Sequence, residues 1–555
     1  MAELIGIVED VIYANEQNGY TVCEICAEDN SSAIAVGIMP LITPGESVHL
    51  RGQWVQHQEY GEQFKVESLE KAMPCTLEMI EKYLSSGIIK GIRASSAKKI
   101  VAHFGEKAIE ILETQPQRLS EIKGISKKKA AEIGEAFMAQ HEMRKVIMFL
   151  QQYGVTTNFS MKIFKHFGQD AIDKIKQNPY VLADEIEGIG FRTADKIAFN
   201  MGMNPHAADR VKSAVKYVLE QQLSAGHSYL PKPLLIGKLM DLIGIVEQEA
   251  DNAITDLWIS KKIMLETKGE EQRVYLPAFY QAELSVARRL LRLSMHEPSF
   301  QWVAEGSDID LVEQETGITL ADKQREAVTD ALQHGVVVIT GGPGTGKTTI
   351  INTIIRIFEK KGLEIALTAP TGRAAKRMTE MTGQEAKTAH RLLEMGYSGE
   401  SHTMVFGKDE NMPLEYDAII VDEMSMVDIL LMNALLKAIV PGTRLILVGD
   451  ADQLPSVGAG NVLKDILKSK MIRMVRLTEI FRQAQESMII VNAHKINRGE
   501  MPILNAKQKD FFFMPRESQN DVVDTILSLL KDRLPKFLDN ASTHSIQVLT
   551  PVRKS

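Results

Sequence analysis

The chain has 555 residues, 44 % hydrophobic and 25 % charged, with a formal net charge of −8. That length exceeds what one hydrophobic core serves, so about three to five domains are expected, and the proportions exclude a disordered or fibrous chain. No run approaches the ~18 apolar residues of a membrane span, Glu3, Glu9 and Asp10 stand where a secretory signal needs lysines, and three cysteines are too few for a disulfide framework, so a cytoplasmic protein is expected.

Residues 1–72 alternate apolar and polar positions over four stretches (4–13, 20–25, 47–55 and 63–69), separated by Asn-Gly, Pro-Gly and Tyr-Gly turns. This is the pattern of a small β-barrel, with a nucleic-acid-binding and a structural role both open. Cys23 and Cys26 form a C-x-x-C. In an alternating strand, residues three apart point to opposite faces and cannot share a metal.

A duplication follows. Lys99-Ile-Val-Ala-His-Phe-Gly-Glu-Lys-Ala-Ile109 recurs as Lys162-Ile-Phe-Lys-His-Phe-Gly-Gln-Asp-Ala-Ile172, and Gln115-Pro116 recurs at the same offset as Asn178-Pro179. Each copy is bracketed by glycine-hydrophobic turns, Gly91-Ile92 and Gly124-Ile125, then Gly154-Val155 and Gly188-Ile189. Such turns resemble helix-hairpin-helix DNA-binding units, in which glycine lets backbone N–H groups meet a phosphate without reading bases. The alternative is a helical linker domain whose glycines only end helices. Residues 90–145 hold twelve Lys and Arg against seven Glu and no Asp, and Lys123, Lys127 and Lys128 flank one turn, which favours DNA contact there. Residues 205–310 give mixed helical and strand signals, read as a helical, winged-helix-like linker domain without a legible function; His227 has no clustered partners.

From residue 320 onward, apolar strands (336–340, 364–368, 418–421 and 444–448) alternate with helices, as a parallel, helix-covered sheet requires. The first strand runs into Gly341-x-x-x-x-Gly346-Lys347-Thr348, a phosphate-binding loop in its strand-loop-helix context. The backbone around Gly342, Gly344, Thr345, Gly346 and Thr349 would cradle ATP phosphates, Lys347 would neutralise their charge, and the Thr348 hydroxyl would ligate Mg2+. The third strand ends in Asp422-Glu423, read as metal ligand and general base. The fourth leads to Gln453, whose uncharged amide suits sensing of the γ-phosphate. Arg482 reads by itself as a surface ion-pair residue or as an arginine finger.

Ala369-Pro-Thr-Gly-Arg-Ala-Ala375, Thr388-Ala-His-Arg-Leu-Leu393, Val421-Asp-Glu-Met-Ser-Met426, Val448-Gly-Asp-Ala-Asp-Gln-Leu-Pro-Ser456 and Leu477-Thr-Glu-Ile-Phe-Arg-Gln483 follow the glycine-rich loop in order. Together they resemble the helicase motifs of the RecD-like branch of superfamily 1. The barrel and hairpin repeats resemble the free-standing bacterial members of that branch. The resemblance implies a multidomain α/β fold in which a RecA-like motor lobe is preceded by an OB-like barrel and a helix-hairpin-helix α domain. Its expected parts are the barrel at 1–72, hairpin repeats at 73–204, the linker domain at 205–310, a first motor lobe at 311–475 and the start of a second at 476–555.

It further implies ATP-dependent 5′ to 3′ translocation on single-stranded DNA and duplex junctions, in repair or recombination. Gln324 would recognise adenine, Arg482 would act as the arginine finger, and Pro370, Thr371, Arg373 and His390 would line the DNA track. Since the family continues through a complete second lobe, the sequence reads as a C-terminally truncated copy. A DNA-binding module that uses ATP only as a switch is the competing expectation, and a small-molecule kinase conflicts with the hairpin repeats.

Overall fold

The computed structural model describes residues 2–15, 20–27, 31–39, 42, 44–57, 61–72, 77–85, 89, 91–296, 307–397, 404–479, 486–504, 510–538 and 546–550. It divides into two compact units, Met1–Gln222 with Tyr229–Pro277 and Leu223–Ser228 with Ala278–Ser555. No helix among the described residues is long and apolar enough to cross a membrane.

In the first unit, strands β1 (Ala2–Ala14), β2 (Tyr20–Ala27), β3 (Ser32–Ile38), β4 (Ser47–His57) and β5 (Gly61–Ala72) close into a barrel in the order β1-β2-β3-β5-β4. Its core is built from one face of each strand, including Val8, Cys23, Ile25, Ala35, Leu50 and Phe64. Strand β3 is absent from the sequence reading. Its inward positions include Ala33 and Ala35, whose small side chains give little contrast with their neighbours. On β2, Cys23 is buried in this core while Cys26 lies on the opposite, partly exposed face.

The duplication is visible as repeated geometry. Helices Ala94–Phe104 and Thr157–Phe167 both end at a glycine of unusual backbone, Gly105 at φ 58°, ψ −138° and Gly168 at φ 60°, ψ −137°. Before each glycine a His-Phe pair packs edge to face, with ring centroids 4.6 Å and 4.7 Å apart. The two histidines meet equivalent glutamates, His103 with Glu121 at 3.4 Å and His166 with Glu185 at 3.0 Å. All four hairpin glycines, Gly91, Gly124, Gly154 and Gly188, have φ between 81° and 105°, a region that side chains with a Cβ avoid.

Helix Lys127–Gln151 belongs to both copies. Ala130, Ile133 and Phe137 near its start enter the core of the first, and Val146 and Leu150 near its end enter that of the second. The second core does not stop near residue 204. It continues through helices Ala208–Ser224, Lys232–Ile243 and Glu247–Ile259 to the antiparallel sheet of β6 (Tyr229–Pro231), β7 (Met264–Lys268) and β8 (Glu271–Tyr275). A polar staple joins the parts. Arg210 donates to both oxygens of Asp195 at 2.8 Å and 3.1 Å and to the carbonyls of Pro205 and Ile243, while the Tyr180 hydroxyl donates to Asp195 at 2.7 Å.

The second unit is organised by six parallel strands: β9 (Val336–Gly341), β10 (Ile365–Ala369), β11 (Ala386–Thr388), β14 (Ala418–Val421), β15 (Arg444–Gly449) and β16 (Arg473–Leu477), with a hairpin of β12 (Met395–Tyr397) and β13 (Met404–Phe406) set between β11 and β14 in the chain. The sheet order is β11-β10-β14-β15-β9-β16. Both faces are covered, so the strands are apolar throughout rather than alternating. Val336, Val338, Ile419, Val421, Leu445 and Leu447 serve one core, and Val337, Ile339, Ala418, Ile420, Ile446 and Val448 the other. Helix Pro277–Met295 falls inside the linker range read from sequence, yet Ala282, Val286, Leu290 and Leu293 pack into the first of these two cores. The structural division therefore comes near residue 277, because this helix buries its apolar stripe on the sheet.

Candidate nucleotide and nucleic-acid site

Because all six strands run the same way, their C-terminal ends open onto one edge, where ligands of such sheets bind. At that edge β14, β15 and β9 are neighbours, which brings together the loops that follow Gly341, Val421 and Gly449. Gly341-Gly342-Pro343-Gly344-Thr345-Gly346 leaves β9 and turns into helix Lys347–Lys360, with Gly344 and Gly346 at φ 76° and 78°. The first N–H groups of that helix lack intrahelical acceptors and point into the loop, so they can receive an anion.

Lys347 curls back into this loop. Its Nζ donates to the carbonyls of Gly341 at 2.5 Å and Gly342 at 3.2 Å. Thr345 Oγ1 also donates to the Gly342 carbonyl, at 2.9 Å. Thr348 and Thr349 occupy the first turn of the helix, partly exposed. Gln324, buried in helix Asp322–Gln333, accepts from the Ala321 N–H at 3.1 Å and donates through Nε2 to the Thr345 carbonyl at 3.2 Å. These two bonds use one N–H and one lone pair of that amide.

Asp422 and Glu423 follow β14 directly. The Asp422 carboxylate accepts the Glu423 N–H at 2.8 Å, and the Asp422 N–H donates to the Thr368 carbonyl of β10 at 2.9 Å. Glu423 adopts a left-handed backbone at φ 55°, a sparsely occupied conformation for a residue with a Cβ. Burial pushes both carboxyls above their ordinary range. For Asp422 the Glu423 N–H, Lys347 and Arg377 oppose that rise. For Glu423 the neighbouring charge of Asp422 adds to it, while Lys347 and Arg377 oppose. A partly buried carboxylate within electrostatic reach of Lys347, which is followed in the chain by the Thr348 hydroxyl, supplies oxygen donors of the kind that suit Mg2+. Gln453 lies exposed in the loop after β15, its N–H donating to the Asp450 carbonyl at 3.3 Å. The Ala451 N–H donates to Thr340 Oγ1 at 3.2 Å, tying this loop to β9. Arg482 lies outside the described residues.

Three contributors escaped the sequence reading. Arg377 stands one turn after Arg373 on helix Gly372–Thr382 and acts electrostatically on both carboxylates, a placement that the i, i+4 spacing could have suggested. Buried Asp450 raises Glu423 further. His494, 151 residues beyond Pro343, donates from Nε2 to its carbonyl at 3.2 Å, and no local signal announces it.

The expected DNA-contact residues form two groups. Pro370 and Thr371 sit at the end of β10, where Thr371 caps helix Gly372–Thr382 by accepting the Ala374 N–H at 3.3 Å. Arg373 is exposed on that helix and donates to Gln547 Oε1 at 2.8 Å; His390 is exposed on the next, Ala389–Leu392, its ring 6.1 Å from that of Phe406. Lys123, Lys127 and Lys128 belong to the first unit, all exposed around the Gly124 turn. There Ser126 caps helix Lys127–Gln151 by accepting the Lys129 N–H at 3.2 Å.

Four family models match. Residues 1–74 match the ATP-dependent DNA helicase YrrC OB-fold domain, 81–137 a SAM-like helix-hairpin-helix tandem, 139–229 the ATP-dependent RecD2 DNA helicase HHH domain, and 324–459 an AAA domain. The ATP-dependent RecD2 DNA helicase of Deinococcus radiodurans is 32 % identical over 539 residues, covering 95 % of this chain and 72 % of that protein. The RecBCD enzyme subunit RecD of Mycobacterium tuberculosis is 42 % identical over 175 residues, 27 % of this chain and 30 % of that one. The likeness to the Deinococcus protein runs along nearly the whole sequence, the barrel and the second hairpin tandem match RecD2-type and YrrC domain models, and the chain belongs to the RecD2-type ATP-dependent DNA helicases.

Proposed function

We propose that this chain couples ATP hydrolysis to 5′ to 3′ movement along single-stranded DNA, opening duplex junctions in repair or recombination. The observation that carries the reading is the single edge of the parallel sheet, where the loop of residues 341–349, Asp422-Glu423 and the Gln453 loop converge.

In this reading the N–H groups around Gly342, Gly344, Thr345 and Gly346 hold the phosphates. Lys347 exchanges the carbonyls of Gly341 and Gly342 for phosphate oxygens, and Gln324 contacts the adenine. Thr348 and Asp422 would hold Mg2+, which supplies charge neutralisation across the phosphates when bound. Glu423 accepts a proton from the attacking water, and its raised proton affinity suits a base. Gln453 senses the γ-phosphate and Arg482 stabilises its transfer. Pro370, Thr371, Arg373 and His390 grip the DNA strand, and the lysines at the Gly124 turn hold DNA through its phosphates.

Strand displacement on duplexes with a 5′ or a 3′ tail tests the proposal, with Lys347→Ala as the inactive control. Unwinding restricted to the 5′-tailed substrate is expected, together with ATPase stimulated by single-stranded DNA. Equal activity on both tails would remove the polarity. Nucleotide and DNA binding without turnover would favour the ATP-switch reading instead.

A further inference from the structure

We propose that His494 is a positioning residue of the nucleotide loop, holding the Gly342-Pro343 segment in the form that presents backbone N–H groups to phosphate. The proposal rests on the reading of residues 341–349 as the ATP loop. Three successive carbonyls there each accept a side-chain donor: Gly341 from Lys347, Gly342 from Lys347 and Thr345, and Pro343 from His494. A carbonyl that turned toward the phosphates would repel them, so donors that hold these oxygens aside favour the binding form. Lys347 leaves its two carbonyls when it pairs with phosphate, but His494 has no such second duty.

Position 343 is where an outside donor matters most. Proline has no N–H, so its carbonyl is the one backbone group through which residue 343 can be anchored. The imidazole also packs on the loop, since a Cβ added to Gly342 would lie 2.6 Å from its Cε1. The nitrogen that faces Pro343 must carry a proton, which fixes the tautomer of the neutral ring.

His494 is itself held in place. Its helix, Met488–Asn497, is capped by Ser487, whose hydroxyl donates to Asp510 at 2.6 Å, and Asp510 also accepts the Met488 N–H at 3.1 Å. Two residues before the histidine, fully buried Asn492 accepts the Ile503 N–H at 2.7 Å and donates to the Ile503 carbonyl at 3.0 Å. A donor aligned in advance costs little ordering on binding. The anchored helix thereby links the segment after β16 to the loop after β9.

Affinity for a fluorescent Mg-ADP analogue, measured on the whole chain without DNA, tests this for His494→Ala, His494→Phe and His494→Gln. Ala removes donor and bulk, Phe keeps bulk, and Gln keeps a donor. Loss of one net hydrogen bond predicts about fivefold weaker binding for Ala and Phe and recovery to about twofold for Gln. The nucleotide-free melting temperature should fall by no more than about 2–4 °C in any of the three, as loss of one net hydrogen bond allows. Phe binding as tightly as the parent, Gln binding no better than Ala, or an unchanged Ala variant would each overturn the assignment. Lys347→Ala isolates the underlying reading: if it keeps full affinity, the nucleotide loop itself is misassigned whatever the His494 variants do.

Discussion

Asp422 and Glu423 sit where burial works against their charge, and that opposition sets their effect on stability. Both carboxyls are pushed up relative to the unfolded chain, Asp422 by burial and Glu423 by burial and then by Asp422. The native state therefore holds protons that the unfolded state has already released, so stability is fully present below the unfolded carboxyl pKa and is lost as pH rises through the folded values. At neutral pH the pair destabilises the fold. Asp422→Asn removes one of the two charges, and we expect the nucleotide-free melting temperature of the second unit to rise by about 2 °C while ATPase collapses. Calorimetry at pH 7.5 checks this, and a lower melting temperature would mean that the Asp422 carboxylate is better solvated than its surroundings indicate. The nucleotide loop was legible at this scale because its residues are consecutive. His494 was not, since it lies far from the loop in sequence.

At the scale of elements, the hairpin tandems show how far a repeat can be read before coordinates. Matching strings at a constant offset imply matching geometry, and Gly105 and Gly168 agree within a few degrees in both dihedrals. What the strings conceal is the sharing of one helix, Lys127–Gln151, between two cores. Its exposed first turn, with Lys127 and Lys128 beside the Gly124 turn, suits backbone phosphates rather than bases. Replacing both lysines with alanine should weaken binding to duplexes of unrelated sequence alike and reduce the salt slope of binding by about 2. A slope that does not move in a salt titration would assign these lysines to solvent. Strand β3 marks the opposite limit: where the core positions are alanines, alternation fades from the sequence although the barrel needs the strand.

For the whole molecule, each unit has its own cores, and the polar staple of Tyr180, Asp195 and Arg210 belongs to the first. Arg210 is nearly buried against a carboxylate that takes three of its hydrogen bonds from Arg210 and Tyr180. Arg210→Met would strand that carboxylate, and breaking a buried pair in this way costs about 3–5 kcal/mol. Denaturant unfolding followed in the first unit should shift by that amount, while nucleotide affinity in the second keeps its parent value. A shift of well under 1 kcal/mol would show that water reaches Asp195 once the guanidinium is gone.

The order of parts, the duplication, the nucleotide loop and the acidic pair were determined by sequence alone, because each is a local pattern of period, spacing or consecutive residues. Tertiary structure decided the rest. It put β14, β15 and β9 side by side, moved helix Pro277–Met295 onto the motor sheet, ran one core from Val146 to Val274, and set His494 on the Pro343 carbonyl. These are long-range pairings, selected by which apolar faces bury one another, and no window of sequence contains both partners.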